Sequence, residues 1–541
     1  MKPSDVLAID HPLGPMLLFL PIRINLHDRV RTEDGQLFIY SILIKKLQER
    51  CGVMSPWTDT NQLSTNNVPR LVIGAPHGRS GKTTFTLGLL RAFARQGIAV
   101  QPFKKGPDYI DASWHTAAAG CTCRNLDSFF MKKQEICSSV ASQSLDKKIS
   151  IIEGAMGLYD GLDLLGSSST AEIAKITRSP VLLIVDATRM TRSTAAMVMG
   201  YQHFDPDVQI IGVVLNKVAR ARHVKIAREA IEEFCKIPVV GAIPKDVNLC
   251  IPDRHLGLVT NGEMAETDKL LNYLADVICE HVDLPKILTL ARCAPELPQF
   301  AETQLPNLAK FMNKNKGCTP KIGIIQDAAF SFYYPENLEA LKGMGADLVS
   351  ISALLDSQLP ENLDGLYIGG GFPEVFAAEL EENKVLREEI KRVGEKGLPI
   401  YAECGGLMYL GRSIRTTSQS FEMVGLLPFD TQMERKPQGH GYTLMEANPG
   451  QSWFEEKTEI RGHEFHNSRI INLADDVKFG LTVKRGHGID GQHDGISYKN
   501  VFAAYNHIHA LGCPEWAESM VKLATSYCQT KWAQIDKVAG Q

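Results

Sequence analysis

Short apolar runs alternate with longer stretches whose apolar residues recur at helical spacing from residue 68 to about 292. The runs Leu71-Val72-Ile73, Val100-Gln101-Pro102-Phe103, Ser150-Ile151-Ile152, VLLIVD ending at Asp186, IIGVVLNKV carrying Asn216, and Pro238 to Pro244 read as buried strands. Strands separated by helical segments predict a parallel α/β sheet. A second series opens with KIGIIQDAAF at 321–330. It continues through VSIS at 349–352, LDGLYIGGG at 363–371 and LPIYAECGG at 398–406. Between the two series, residues 293–320 hold Pro295, Pro298, Pro306 and Pro320 among polar residues, the composition of a linker. Upstream, FIYSILIKKLQER at 38–50 has a helical pattern, and a polar stretch then runs to Asn67. The expected architecture is α/β with two parallel-sheet domains, at 68–292 and 321–530, after an extension of residues 1–67. Residues 1–53 carry no recognisable chemistry, so they are expected to be dispensable or to precede a true start at Met54.

Composition narrows the function classes. A chain of 541 residues with 44% hydrophobic content exceeds one core and implies about two to four domains. The net charge of −4 carries no electrostatic footprint for nucleic acid. The most apolar segment, PMLLFLPIRI at 15–24, is broken by Pro21 and falls short of the roughly 18 residues of a membrane span. It also lacks the flanks of a signal peptide. Twelve cysteines are scattered without metal-binding spacing, the usage expected of a reducing compartment and hence a cytoplasmic protein.

The stretch LVIGAPHGRSGKTTFT at 71–86 joins a strand to a helix through a turn containing Gly74, Gly78 and Gly81. Amide groups at a helix N-terminus, with the helix dipole behind them, favour phosphate. Gly78, Gly81, Lys82, Thr83 and Thr84 are therefore the candidate nucleotide contacts. Lys82 suits the terminal phosphates, and the Thr83 hydroxyl suits magnesium. Pro76 stands where the usual phosphate loop has its first glycine. Glu153 ends an apolar strand, the arrangement in which a carboxylate holds magnesium. Asn216 also follows a buried strand, where it either reads an adenine edge or caps the next helix. Lys104, Lys105, Asp108, Tyr109 and Asp111 cluster after the second strand, at the sheet edge where ligands bind in such folds.

The second series carries different chemistry. Cys404 follows a strand and precedes Gly405-Gly406, the layout of a nucleophile elbow with a thiol in place of a hydroxyl. A helix N-terminus at this point is expected to lower the thiol pKa. The amide of Gly405 and a second donor from the turn Gly369-Gly370-Gly371 can form an oxyanion hole. Tyr505-Asn506-His507-Ile508-His509 offers a base. His440, His463 and His466 match no standard metal spacing, so substrate-contacting or structural roles are expected.

The stretches FKKGPDYID, RNLDS, EGAMGLYDG, RHLGLV, GGGFPE, AECGGLMYL, GHGYT and GHEFHNS occur in one order from residue 103 to 468. Together they resemble the cobyrinate a,c-diamide synthases over residues 70 to about 520. The resemblance implies a P-loop domain akin to dethiobiotin synthetase, followed by a class I glutamine amidotransferase domain. It implies a carbon–nitrogen ligase in which ATP activates carboxylates of a tetrapyrrole polycarboxylic acid and L-glutamine supplies ammonia. Cys404 would be the nucleophile, His507 its base by the family's Tyr-x-His match, and Gly371 and Gly405 the oxyanion donors. Thr83 and Glu153 would hold Mg2+, and Lys104, Asp108, Tyr109 and Asp111 would meet substrate and phosphate. A homodimer is one expected assembly. Strands with GHGY and GHEFHNS would line an interdomain path for ammonia.

Two residues depart from that pattern. Arg79 and Lys105 stand where relatives have small or apolar residues. Added cations suit a more carboxylate-rich acid, which keeps a sirohaem- or sirohydrochlorin-type macrocycle open beside a corrinoid. Alternatively, both residues pair with neighbouring acids. A partition-type P-loop ATPase switch would share the first domain but needs neither Cys404 nor His507.

Overall fold

The computed structural model describes residues 68–249, 253–254, 257–258, 266–299 and 319–539. The helix expected at 38–50, the N-terminal extension, most of the proline-rich segment and half of RHLGLV lie outside these residues.

Seven parallel strands form the first sheet: β1 Arg70–Gly74, β2 Val100–Lys105, β3 Arg124–Leu126, β4 Ile149–Glu153, β5 Val181–Asp186, β6 Ile210–Val218 and β7 Val239–Pro244. Their spatial order is β3-β2-β4-β1-β5-β6-β7. Strand alternation divides the core into two layers. Leu71, Ile73 and Ile151 face one, whereas Val72 and Ile152 face the other. Burial on both faces explains why these strands read as continuous apolar runs. The chain leaves β1, crosses to β2 and β3, returns to place β4 beside β1, then continues on the far side through β5. That reversal opens a crevice at the carboxyl ends of the strands, where Lys104, Glu153 and Asn216 stand. Helix α1 (Lys82–Arg95) starts directly from the turn after β1, and α2 (Tyr109–Ala119) starts after β2, with Asp108 as its N-cap.

The second sheet is mixed. Strands β8 Lys321–Ile325, β9 Asp347–Ile351, β10 Gly365–Ile368 and β11 Ile400–Glu403 are parallel, as their apolar runs predict. The parallel part also includes a late strand, Val501–Ala504. Beyond it the sheet continues through antiparallel strands, including β12 Gly439–Ala447 and β13 Glu459–His466, and ends on β14 His507–Ile508. The parallel expectation thus covers half of this sheet. A four-stranded sheet of residues 413–471 adds to it. Helix α3 (Gly405–Leu410) follows β11 with Cys404 between them. Among the described residues no helix is long and apolar enough to cross a membrane.

Candidate functional site

The turn between β1 and α1 is held from several sides. Gly81 has φ of 92°, a conformation that side-chain-bearing residues rarely adopt. A methyl group at Gly81 would stand 2.2 Å from Asn216 Nδ2, and that nitrogen donates to the Ser80 carbonyl at 2.9 Å. Asn216 therefore braces the turn from β6; the cap of the following helix is Arg220. Lys82 Nζ donates to the Met156 carbonyl at 2.6 Å, and Leu158 N donates to the Ala75 carbonyl at 2.8 Å. These bonds fasten the EGAMGLYDG loop to the phosphate turn.

Glu153 lies at the centre of a charged cluster. Thr83 Oγ1 donates to its Oε1 at 2.7 Å, Lys104 Nζ meets the same oxygen at 2.8 Å, and His115 Nε2 lies 2.6 Å from Oε2. Lys104 also pairs with Asp111. Burial raises the Glu153 carboxyl, but Lys104 and His115 outweigh it and hold the group well below the usual carboxylate range. Burial opposes the Lys104 charge, yet Asp111, Glu153 and Asp108 hold its ammonium well above the ordinary value. Desolvation and the neighbouring Asp111 push Asp108 up to about 6. His115 is absent from the sequence-derived site. Its signal is the four-residue spacing from Asp111, which places both on one face of α2.

A cavity of about 1130 Å³ opens above this cluster. It is lined by Gly78, Gly81, Lys82, Thr83, Thr84, Lys104, Asp108, Asp111, Glu153 and Asn216, together with Arg79. Pro244, Val247, Leu249, Leu274 and Val277 form an apolar wall suited to a flat ring. The two departing cations differ in place. Arg79 borders the cavity, whereas buried Lys105 has Asp127 and Glu172 among its charged neighbours. Burial lowers its ammonium pKa despite those acids.

Tyr109 faces the second domain. Its ring stacks on Phe332 at 5.1 Å and approaches Tyr334, His463 and His507 at 4.5, 5.7 and 5.4 Å. Its hydroxyl lies 3.5 Å from His507 Nδ1. First-domain residues make further contacts with the second domain nearby. The Tyr442 hydroxyl donates to Asp127 Oδ2 at 2.5 Å, and Arg124 binds both oxygens of Glu339 at 2.9 and 2.6 Å. Strands β12 and β13, with GHGY and GHEFHNS, thus contribute Tyr442 and His463 to the interdomain face.

Cys404 has φ of 47° and ψ of −97°, a strained backbone at the sharp turn from β11 to α3. Gly371 and Gly405 come together beside it: a methyl on Gly405 would stand 3.0 Å from the Gly371 amide nitrogen. A methyl on Gly370 would lie 2.5 Å from His507 Cε1, so the glycine turn also touches the expected base. His463 stacks on His507 with ring centroids 4.8 Å apart. His466 stacks on Tyr505, and His440 packs on Phe465. The thiol pKa corrects the sequence expectation. Burial, then Glu374, push Cys404 up, and the amide of Gly405 offsets only part of this. A six-residue helix in an acidic, desolvated pocket does not generate a standing thiolate.

These two sites place the chain in a class: a P-loop nucleotide-binding domain coupled to a glutamine amidotransferase domain. Residues 71–259 match the CobQ/CobB/MinD/ParA nucleotide binding domain, and residues 321–514 match the CobB/CobQ-like glutamine amidotransferase domain. The cobyrinate a,c-diamide synthase of Magnetococcus marinus is 44% identical over 84% of this chain and 97% of its own length. That of Archaeoglobus fulgidus is 42% identical over 85% of this chain and 98% of its own. That of Methanosarcina barkeri is 39% identical over 86% and 97%. The chain belongs to the cobyrinate a,c-diamide synthase family.

Proposed function

We propose that this protein amidates the a and c acetate carboxylates of cobyrinate, using ATP and L-glutamine. The observation that carries the reading is the presence, in one chain, of a phosphate turn with its Lys82, Thr83 and Glu153 cluster and a strained Cys404 elbow beside paired glycine turns.

In the amidotransferase half, His507 takes the Cys404 proton as the sulfur attacks the glutamine amide carbon. The amides of Gly371 and Gly405 stabilise the oxyanion. His507 returns the proton to the leaving amide nitrogen as the intermediate collapses, expelling ammonia and leaving a glutamyl thioester. Water, deprotonated by His507, then releases glutamate. Because the thiol is held neutral, proton removal accompanies attack.

In the synthetase half, a substrate carboxylate attacks the γ-phosphorus of ATP, giving an acyl phosphate and ADP. Ammonia then displaces phosphate and forms the amide. Lys82 and Lys104 neutralise phosphate charge, while the cluster positions both reactants. The Thr83 hydroxyl and Glu153 carboxylate are hard oxygen donors at the helix N-terminus, and they fit Mg2+. When bound, the ion supplies neutralisation of the polyphosphate. Asp108 and Asp111 border the same cavity, where they orient the entering acid. Tyr109 stands between the two halves.

Product mass spectrometry with cobyrinic acid tests this. Two amides should form with ATP and glutamine. Cys404→Ala should retain only ammonia-dependent amidation, and Lys82→Ala should lose amidation from either nitrogen source. Cobyrinic acid left unmodified by the wild-type protein, or glutamine-dependent synthesis by Cys404→Ala, would refute the reading.

A further inference from the structure

We propose that Glu403, the residue immediately before the nucleophile, is the acid that positions His507 for glutamine hydrolysis. This rests on the assignment of Cys404 and His507 above and adds a residue to it. The last residue of β11 puts its side chain beside the first residue of β14. Glu403 Oε2 lies 3.6 Å from His507 Nδ1. The carboxylate is fixed on two further sides. Oε1 accepts the Ile508 amide at 3.1 Å, and Oε2 accepts the Tyr367 hydroxyl at 3.1 Å. Glu403 is therefore tied to the backbone directly after the histidine it faces, so the two move together. Its exposure is 1%, which makes its field on the imidazole strong.

A carboxylate at Nδ1 keeps the ring proton there and leaves the Nε2 lone pair for the thiol. It also stabilises the imidazolium that forms as the thiol proton moves. Other acids close to this segment serve different groups: Asp494 accepts the Tyr505 and Asn506 amides, both at 3.0 Å. Glu336 lies 3.6 Å from Nε2 of His509, and His509 packs on Tyr334 at 4.5 Å. The titratable groups that face His507 are Glu403 from β11, Tyr109 from α2 and His463 from β13. Of these, Glu403 alone is a carboxyl group. Burial pushes the Tyr109 hydroxyl well up, and burial with two neighbouring histidines holds His463 neutral.

The test is Glu403→Gln, which keeps the side-chain length. Glutamine hydrolysis should fall about a hundredfold or more in kcat with KM within about twofold, because the group acts on the base and not on ground-state binding. The acid limb of the kcat/KM profile should move to lower pH, since the imidazolium loses its counter-charge. Ammonia-dependent amidation should persist, which a merely structural role would not allow. Hydrolysis within threefold of wild type would overturn the proposal. So would joint loss of hydrolysis and ammonia-dependent amidation, or the same pH shift in His509→Asn. Parallel assays of Cys404→Ala and His507→Asn separate the two readings. If either retains glutamine hydrolysis, the underlying assignment fails, whatever Glu403→Gln does.

Discussion

Gly81→Ala tests the phosphate turn at the point where two constraints meet. The first is backbone strain: at φ of 92° an alanine costs about 1–2 kcal/mol relative to glycine. The second is steric. The new methyl would stand 2.2 Å from Asn216 Nδ2, so that side chain must leave and its bond to the Ser80 carbonyl breaks. A buried hydrogen bond lost with its acceptor unsatisfied costs about 1–3 kcal/mol. The single variant should therefore destabilise this region by about 2–5 kcal/mol. Asn216→Ala alone loses only the brace, about 1–3 kcal/mol. In the double variant the methyl meets open space, so only strain adds to the lost brace. The two single losses should exceed the double loss by about 1 kcal/mol or more. Hydrogen exchange by mass spectrometry, on peptides covering β1 and α1, reads these free energies directly. Additive losses, or a Gly81→Ala protein as protected as wild type, would refute the reasoning.

Three further outcomes are expected. Tyr109→Phe removes the hydroxyl near His507 but keeps the stacked ring, so it should change glutamine hydrolysis several-fold with little loss of stability; Tyr109→Ala should also raise the ratio of glutamine consumed to amide formed, measured by paired glutamate and product assays. Glu153 is held below its ordinary value of 4.5, so the folded state binds fewer protons than the unfolded chain as pH falls below that value. First-domain stability from this group is full above about 4.5 and declines as pH drops through the folded pKa; urea midpoints should show that slope, and Glu153→Gln should flatten it. Arg124→Ala leaves buried Glu336 with less counter-charge and frees Glu339, so the helix at Pro335–Gly343 should lose about 2–4 kcal/mol of exchange protection.

The legible parts of this molecule are those that one short segment specifies. The phosphate turn is contiguous, and Gly78, Gly81, Lys82 and Thr83 fall on one cavity. The Cys404 elbow is equally local. Strands buried on both faces reveal themselves as apolar runs, which is why six of the seven strands of the first sheet and four of the five parallel strands of the second follow from sequence, whereas the three-residue β3 and the late strand Val501–Ala504 do not. The antiparallel strands are less visible because residue type does not follow burial along them: β12 alternates, with Thr443, Met445 and Ala447 buried and His440 open, yet its buried face carries polar Thr443 and its other face apolar Leu444. Long-range partners escape as well. His115 meets Glu153 across 38 residues, and Tyr109 reaches His507 across 398. Nothing in FKKGPDYID tells which side of α2 the second domain covers. The raised thiol pKa is hidden for a similar reason: a helix start is visible in sequence, but the burial and the surrounding glutamates are not.

That neutral thiol has a consequence for the lifetime of the protein. Peroxides and alkylating metabolites react with thiolates, and the step from sulfenic to sulfinic acid is irreversible for most proteins. Cys404 is 5% exposed and pushed up in pKa, so between turnovers it stands outside the reactive population. In the proposed mechanism its chemistry is switched on by a bound amide and the His507 imidazole, not by its resting charge. On that mechanism the resting protein is expected to keep its Cys404 thiol through peroxide exposure, which sulfenic-acid trapping would read.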